Sequence, residues 1–290
     1  MPKNNGVIKK MKVRIIIDST VDVSEQLRSR FSVVPLTVRF GAEEFIDGVS
    51  MDKKTFYARL AQGGDLPTTA QPSPAAFAER FDEVTRAGES AVVVTIASKL
   101  SGTYQSACIA AGEYENIFVV DSQSAAVGSG ILAEYALACA ERGMEARELA
   151  AHLTEKSADI RVIALLDTLE FLKRGGRISP AVAFAGGILH VKPVIGIRDG
   201  EVSLVGKARG AGRGGELLKE KIRESGGVDL SMPVLLGYSG TSDELLKKYV
   251  EENRPIWESS GIEPRAELLC SVIGTHTGPG VVGAAYFCKK

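Results

Sequence analysis

The chain has 290 residues, 44% hydrophobic and 24% charged. That is enough for one large or two ordinary globular domains, and too apolar for a disordered chain. Thirty-five Lys and Arg oppose 36 Asp and Glu, so the net charge of −1 gives no pull toward nucleic acid or an anionic membrane surface. No apolar run is long enough to span a bilayer, so no integral membrane segment is expected. Residues 1–10 are polar and basic without an apolar signal core, which predicts a cytoplasmic protein; Met11 is a candidate alternative start. Cys108, Cys139, Cys270 and Cys288 are far apart in apolar contexts and form no CxxC pair. They read as four reduced thiols, not as a disulfide scaffold or a metal site.

In chain order, Lys12 to Ile17 is a short strand ending at Asp18-Ser19-Thr20. Asp22 and Glu25 have the spacing of a capping box for a helix over Ser24 to Arg30. Phe31 to Phe40 reads as one apolar strand, with Pro35 placing it near a sheet edge. Glu43 to Gly48 is a short extended piece and turn, and Asp52 to Gln62 a helix stopped by Gly63-Gly64. Leu66-Pro67-Thr68-Thr69-Ala70-Gln71-Pro72 is an ordered loop. Ser73 then caps, and Pro74 opens, a helix to Ala87. Ala91 to Ala97 is a buried strand, Ile117 to Val120 another, and Ser124 to Arg142 a long alanine-rich helix. Glu145 to Ser157 is one more helix and Arg161 to Leu166 one more strand.

The second half has a different pattern. Val191 to Val205 is a hairpin turning at Arg198-Asp199-Gly200, because Asp-Gly suits a tight turn. Helices over Glu216–Glu224 and Asp243–Glu252 alternate with strands at Val234–Leu236 and Ala266–Leu269. A glycine-rich loop, Gly274 to Gly280, precedes a closing strand, Val281 to Phe287. The expected fold is α/β in two domains divided near Asp159. Residues 12–160 form a parallel-sheet domain, and 161–290 an α/β domain with a mixed or antiparallel sheet. Monomer is the default oligomeric state.

Three strands of the first half end in hydroxyls: Ser19-Thr20, Ser98 with Ser101, and Ser122. Ligands of open α/β sheets bind at the carboxyl ends of strands. In Ser98-Lys99-Leu100-Ser101-Gly102-Thr103-Tyr104-Gln105-Ser106 a strand hands over to a helix. Free backbone N–H groups there suit a phosphate or carboxylate. Gly210 to Gly215 satisfies G-x-G-x-x-G, but the next strand ends in Gly237-Tyr238-Ser239 without the acidic residue that dinucleotide binding needs. Asp18 lacks a second aspartate two residues on, so it reads as a hydrogen-bonding turn residue, not a phosphatase nucleophile. Gly237 to Thr241 misses the nucleophile elbow because Thr241 replaces its last glycine. His152 reads as a surface residue and His190 has no assigned role. His276, between two threonines in the glycine-rich loop, could donate a hydrogen bond to a carboxylate. Lys173 to Arg213 holds eight basic and two acidic residues, either a solvated face or a docking surface for an acidic partner.

Several of these motifs together resemble the DegV family: Asp18-Ser19-Thr20, Leu66 to Ser73, and Leu100 to Ala107. Phe171-Leu172-Lys173-Arg174-Gly175-Gly176-Arg177-Ile178, Lys192-Pro193 and Gly274 to Gly280 continue the set in family order. Ala70 is one departure, since serine is common there. The resemblance implies a two-domain protein that holds one long-chain fatty acid between its domains, with no catalysis and no cofactor of its own. It also implies a partner, the catalytic subunit of a fatty-acid kinase, which makes an acyl phosphate for phospholipid synthesis. By motif position Thr69, Ser101, His276 and Arg177 would hold the carboxylate. Ser19, Gly102, Thr103 and Ser122 would stand behind them, and Arg174 and Arg209 would meet the kinase. A rival reading is an enzyme on a small phosphorylated or carboxylated ligand, with His276 as acid/base and Ser101 as anchor or nucleophile. No acidic residue is evidently placed to orient that histidine. A family member that has lost its lipid and serves only as an interaction partner is a third reading.

Overall fold

The computed structural model describes residues 11–179, 191–209, 211–254, 263 and 265–289. His190 and Gly210, and with it the start of the glycine-rich G-x-G-x-x-G stretch, lie outside them. The first half forms the expected parallel sheet. Its strands are β1 (Val13–Asp18), β2 (Ser32–Val34), β6 (Ser90–Thr95) and β7 (Ile117–Asp121), in the order β2-β1-β6-β7. All neighbours are parallel. β6 is buried at every residue, as a strand covered on both faces must be.

The apolar run from Phe31 to Phe40 is not one strand. Pro35, which cannot donate to a ladder, separates β2 from β3 (Thr37–Phe40). β3 pairs instead with β4 (Glu43–Ile46) and β5 (Thr68–Ala70) in a small antiparallel sheet of order β4-β3-β5. Thr68–Ala70, read from the sequence as loop, is therefore a strand. Ser19 fixes the break: its Oγ accepts from Leu36 N at 3.0 Å. The capping box at Asp22 is also corrected. Helix α1 (Glu25–Arg28) starts after Ser24, and the Asp22 carboxylate bonds Lys53 Nζ at 2.8 Å and Cys270 N at 3.1 Å. Helix α2 (Lys53–Ala61) carries that lysine. Helix α3 (Pro74–Arg86) opens as expected, with Ser73 Oγ accepting from Ala76 N.

The second half builds a six-stranded sheet of order β10-β9-β8-β13-β11-β12. Its strands are β8 (Ile160–Leu165), β9 (Val191–Arg198), β10 (Glu201–Arg209), β11 (Leu235–Tyr238), β12 (Ala266–Leu268) and β13 (Val282–Phe287). Every adjacent pair is antiparallel except β11 with β12, so the sheet is mixed. The β9–β10 turn has φ of 53° at Asp199 and 77° at Gly200, the two positive values that a tight hairpin turn requires. Helices α8 (Ala211–Glu224) and α9 (Glu244–Glu252) flank this sheet.

Helix α5 (Val127–Glu141) joins the two sheets. It contacts β1 and β6 on one side and β8, β11 and β13 on the other, and eleven of its 15 residues are buried. Its alanine-rich, apolar-all-round sequence is that of a helix with no solvent face. Its last residue, Glu141, is exposed, and its one buried charge is Glu134, 5% exposed, which accepts from Arg265 Nη2 at 2.7 Å and from Ser24 N at 2.8 Å. Arg265 also donates to Ser24 Oγ at 3.1 Å, and Lys53 to Leu268 O at 2.6 Å. Buried charge is thus paired and hydrogen-bonded, as its desolvation demands. This network ties the loop after β1 to the β12 edge of the other sheet.

Candidate ligand-binding site

A cavity of about 360 Å³ lies between the carboxyl ends of the parallel strands and the inner face of the six-stranded sheet. That size is within the roughly 300–1,000 Å³ typical of small-molecule sites. Its walls are apolar: Val162 and Ala164 of β8 and Leu166 just after it, Ile195 and Ile197 of β9, and Ala126 and Val127 at the start of α5. The polar lining residues are Thr20, Thr69, Gln71, Ser101, Arg177, His276 and Thr277. Among the described residues, Arg177 is the one charged side chain in the lining, and no carboxylate reaches it.

Thr69 sits in the middle of β5, and its Oγ1 lies 2.9 Å from His276 Nε2. His276 is not on a loop. Ser271–Thr277 forms helix α10, and the chain turns only at Gly278, with φ of 73°. Gly274 is tolerated inside that helix because a Cβ there would come 2.6 Å from the Tyr57 hydroxyl. Burial, with the charge of Arg177 second, pushes the His276 pKa down to about 4. The imidazole is therefore neutral at pH 7. Its Nδ1 is buried without a hydrogen-bond partner among the described residues.

Arg177 is placed by the glycine pair before it. Helix α7 (Glu170–Arg174) ends there, and Gly176 takes φ of 69°. Gly175 makes room for the histidine, since a Cβ there would lie 2.2 Å from His276 Nδ1. Arg177 then donates to Leu100 O at 3.1 Å from Nε and to Gly175 O from Nη1. Ser101 stands at the entrance to helix α4 (Thr103–Ala111). Its Oγ lies 2.8 Å from Thr103 Oγ1 and accepts from Thr103 N at 3.3 Å. Thr103 is fully buried and orients Ser101.

Of the residues singled out from sequence, Thr69, Ser101, His276 and Arg177 all line this one cavity. Ser19, Gly102, Thr103 and Ser122 do not line it. Gly102 seats Gln71, whose Nε2 donates to Gly102 O at 3.2 Å and Ser106 Oγ at 3.0 Å. Ser122 turns inward: its Oγ donates to Ser124 O at 3.1 Å and lies 2.9 Å from Ser129 Oγ. It shapes the start of α5 instead of facing a ligand. Arg174 is exposed and paired with Glu170 at 2.7 Å. Arg209, at the end of β10, lines an outer groove together with Lys207, Arg213 and Arg223. His152 is half-buried, with Nε2 2.9 Å from the Tyr135 hydroxyl, and so is not the surface residue its sequence context implied. Sequence reasoning placed Thr20 among the strand-end hydroxyls but missed Gln71 and the apolar walls. Gln71 lies next to Thr69 in a quoted motif, but alternating apolar strand residues look the same whether they face a cavity or a core.

Among the described residues, no group of three or more His, Cys, Asp or Glu side chains could hold a metal ion, and no helix is long and apolar enough to cross a membrane. The four cysteines are free thiols, Cys139 and Cys270 buried.

Comparison with known proteins gives a consistent result. The family model described as "Uncharacterised protein, DegV family" matches residues 12–289. A DegV domain-containing protein of Caldanaerobacter subterraneus is 33% identical over 279 residues, 95% of this chain and 98% of that protein. A protein of Thermotoga maritima named fatty acid-binding protein is 31% identical over 281 residues, 94% of this chain and 96% of its own. The solved structure of a fatty-acid-binding DegV family protein from Thermus thermophilus superposes with a TM-score of 0.84 at 32% identity, covering 96% of this chain and all of that one. With a family model spanning nearly its whole length and relatives matched end to end, this chain belongs to the DegV family.

Proposed function

We propose that this protein binds one long-chain fatty acid, with the tail in the cavity and the carboxylate against Thr69, Ser101, His276 and Arg177. One observation carries the reading: an apolar cavity whose polar lining, among the described residues, includes a single cation and no acid. An amphipathic anion complements that lining. The tail supplies the affinity. At about 0.8 kcal/mol per methylene, a tail of about fourteen methylenes contributes roughly 11 kcal/mol gross. Ordering the ligand and the loops around it offsets much of that. The named fatty-acid binders among its relatives support the same ligand. The enzyme reading finds no support among the described residues, where no carboxylate lines the cavity to orient His276, which burial keeps neutral.

The chain is read as two domains, 12–160 and 161–290, with the ligand between them. We assign it to the cytoplasm, where it presents the fatty acid to a separate kinase for acyl-phosphate formation and phospholipid synthesis. The docking residues are drawn from the basic segment Lys173 to Arg213, Arg174 and Arg209 first among them. The test is native mass spectrometry of the purified protein, followed by solvent extraction. A stoichiometric fatty acid is expected, and Thr69→Ala with Ser101→Ala should lower acyl-phosphate formation by an added kinase. Protein that carries none and takes up none from solution would sink the reading.

A further inference from the structure

Among the described residues, the cavity's lining on the six-stranded sheet ends at a defined row. The alternate residues Val162 and Ala164 of β8 and Leu166 just past its end line the cavity, and Ile160, next on that face, does not. Val162 is in register with Ile197 on β9, and Ile197 with Val202 on β10, and all three line the cavity. On β13 and β11 the lining stops one row earlier, at Gly283 and Gly237. Their neighbours in the Val162 row, Ala285 and Leu235, are fully buried away from it.

Helix α5 closes the gap above this row. Val162 Cγ2 sits where a Cβ on Gly128 would come within 2.4 Å. Behind the row, Ile160 and Phe287 are buried cross-strand partners, and the Phe287 ring lies 5.8 Å from Tyr135. The polar residues are at the other end. His276 lies on the helix that leads into β13 where Val282 pairs with Leu165, and Arg177 follows α7 just beyond Leu166. From Leu166 to Val162 the strand covers about 13 Å.

We infer that the Val162–Ile197–Val202 row is the end wall that sets acyl-chain length, an inference that rests on the fatty-acid reading above. Three β-branched side chains in one row are stiff at χ1 and cannot fold aside for a longer tail. The packed core behind them does not yield either.

The test incubates the full chain, stripped of bound lipid, with an equimolar mixture of saturated acids from laurate to behenate, and reads the bound species by native mass spectrometry. Val162→Ala should move the preferred acid to one longer by about two carbons, the room left by the lost methyl groups. Ile197→Phe should move it shorter by about two carbons or more. Thermal melts identify a variant that does not fold, in which case the other decides. An unchanged chain-length profile in a folded, loaded variant overturns the end wall while leaving fatty-acid binding intact. A wild-type chain that takes up no acid overturns both.

Discussion

His276→Gln in the ligand-free protein isolates the cost of burying a titratable ring in the cavity. The folded-state pKa of His276 is lowered from its ordinary 6.5 to about 4, by burial first and the Arg177 charge second. As pH falls through 6.5 the unfolded chain takes up a proton that the folded chain refuses until about 4. Between those values the unfolded state binds more protons, so stability falls with falling pH. At about 1.36 kcal/mol per pKa unit the full difference is about 3 kcal/mol. Glutamine cannot titrate, and its amide can still reach the Thr69 hydroxyl. Urea unfolding of both proteins from about pH 7.5 to pH 4 should therefore show the variant gaining on wild type by up to about 3 kcal/mol. Added fatty acid should shrink that gain, because a carboxylate beside the ring favours its charged form. Unfolding free energies that differ by the same amount at every pH would refute the argument.

Asp18 should behave with the opposite sign. Burial raises its pKa to about 6 despite hydrogen bonds from Thr20 and Ile96 N, so its contribution is present below the unfolded value of 3.8 and lost as pH rises through 6. Asp18→Asn should gain on wild type by up to about 3 kcal/mol between about pH 4 and 7.5 in the same urea series. Arg265→Ala leaves Glu134 buried with only the Ser24 N–H, and should cost about 3 kcal/mol by denaturant titration. Ala126→Gly should raise the melting temperature, by about 1 kcal/mol of stability, because Ala126 is held at φ 54° and ψ −131°, where alanine is strained. Gly175→Ala would drive a Cβ into His276 and break its contact with Thr69, weakening fatty-acid binding five- to tenfold by competition titration.

The sequence carried the parallel sheet plainly, because runs such as Ala91 to Ala97 are apolar on both faces and have one reading. The Asp199-Gly200 hairpin was equally plain, since the turn chemistry is local. What escaped depended on distant partners. β5 has three residues, too few to show a period, and it exists because β3 pairs with it. Residues 271–277 carry a glycine and end before Gly278 and Pro279, so they look like loop. The glycine is there for close approach to Tyr57, a contact that local sequence does not show, and the segment is helical around it. Asp22 looked like a cap and serves instead as an anchor for Lys53 and Cys270, residues 31 and 248 positions away. The four cavity-lining residues Thr69, Ser101, His276 and Arg177 were found through motifs, but nothing local distinguished Ser101, which faces the cavity, from Ser122, which bonds within its own loop.

On the fatty-acid reading, the polar end of the cavity is built for orientation more than for grip. Arg177 spends two of its N–H groups on the carbonyls of Leu100 and Gly175, so its fork is not offered whole to a carboxylate. A bidentate pair is thereby avoided, and bidentate pairs are the strong ones. His276 is neutral and its ring is fixed between Thr69 and Gly175, so it contributes a direction instead of a charge. The Ser101 hydroxyl is held by Thr103, itself fully buried. Arg177, His276 and Ser101 are each held by a neighbour on the protein side, Gly175 for the first two and Thr103 for the third. A carboxylate held this way keeps lone pairs unengaged, while the apolar tail keeps the ligand bound. Removing a single hydroxyl should therefore change where the carboxylate points before it changes how tightly the fatty acid is held.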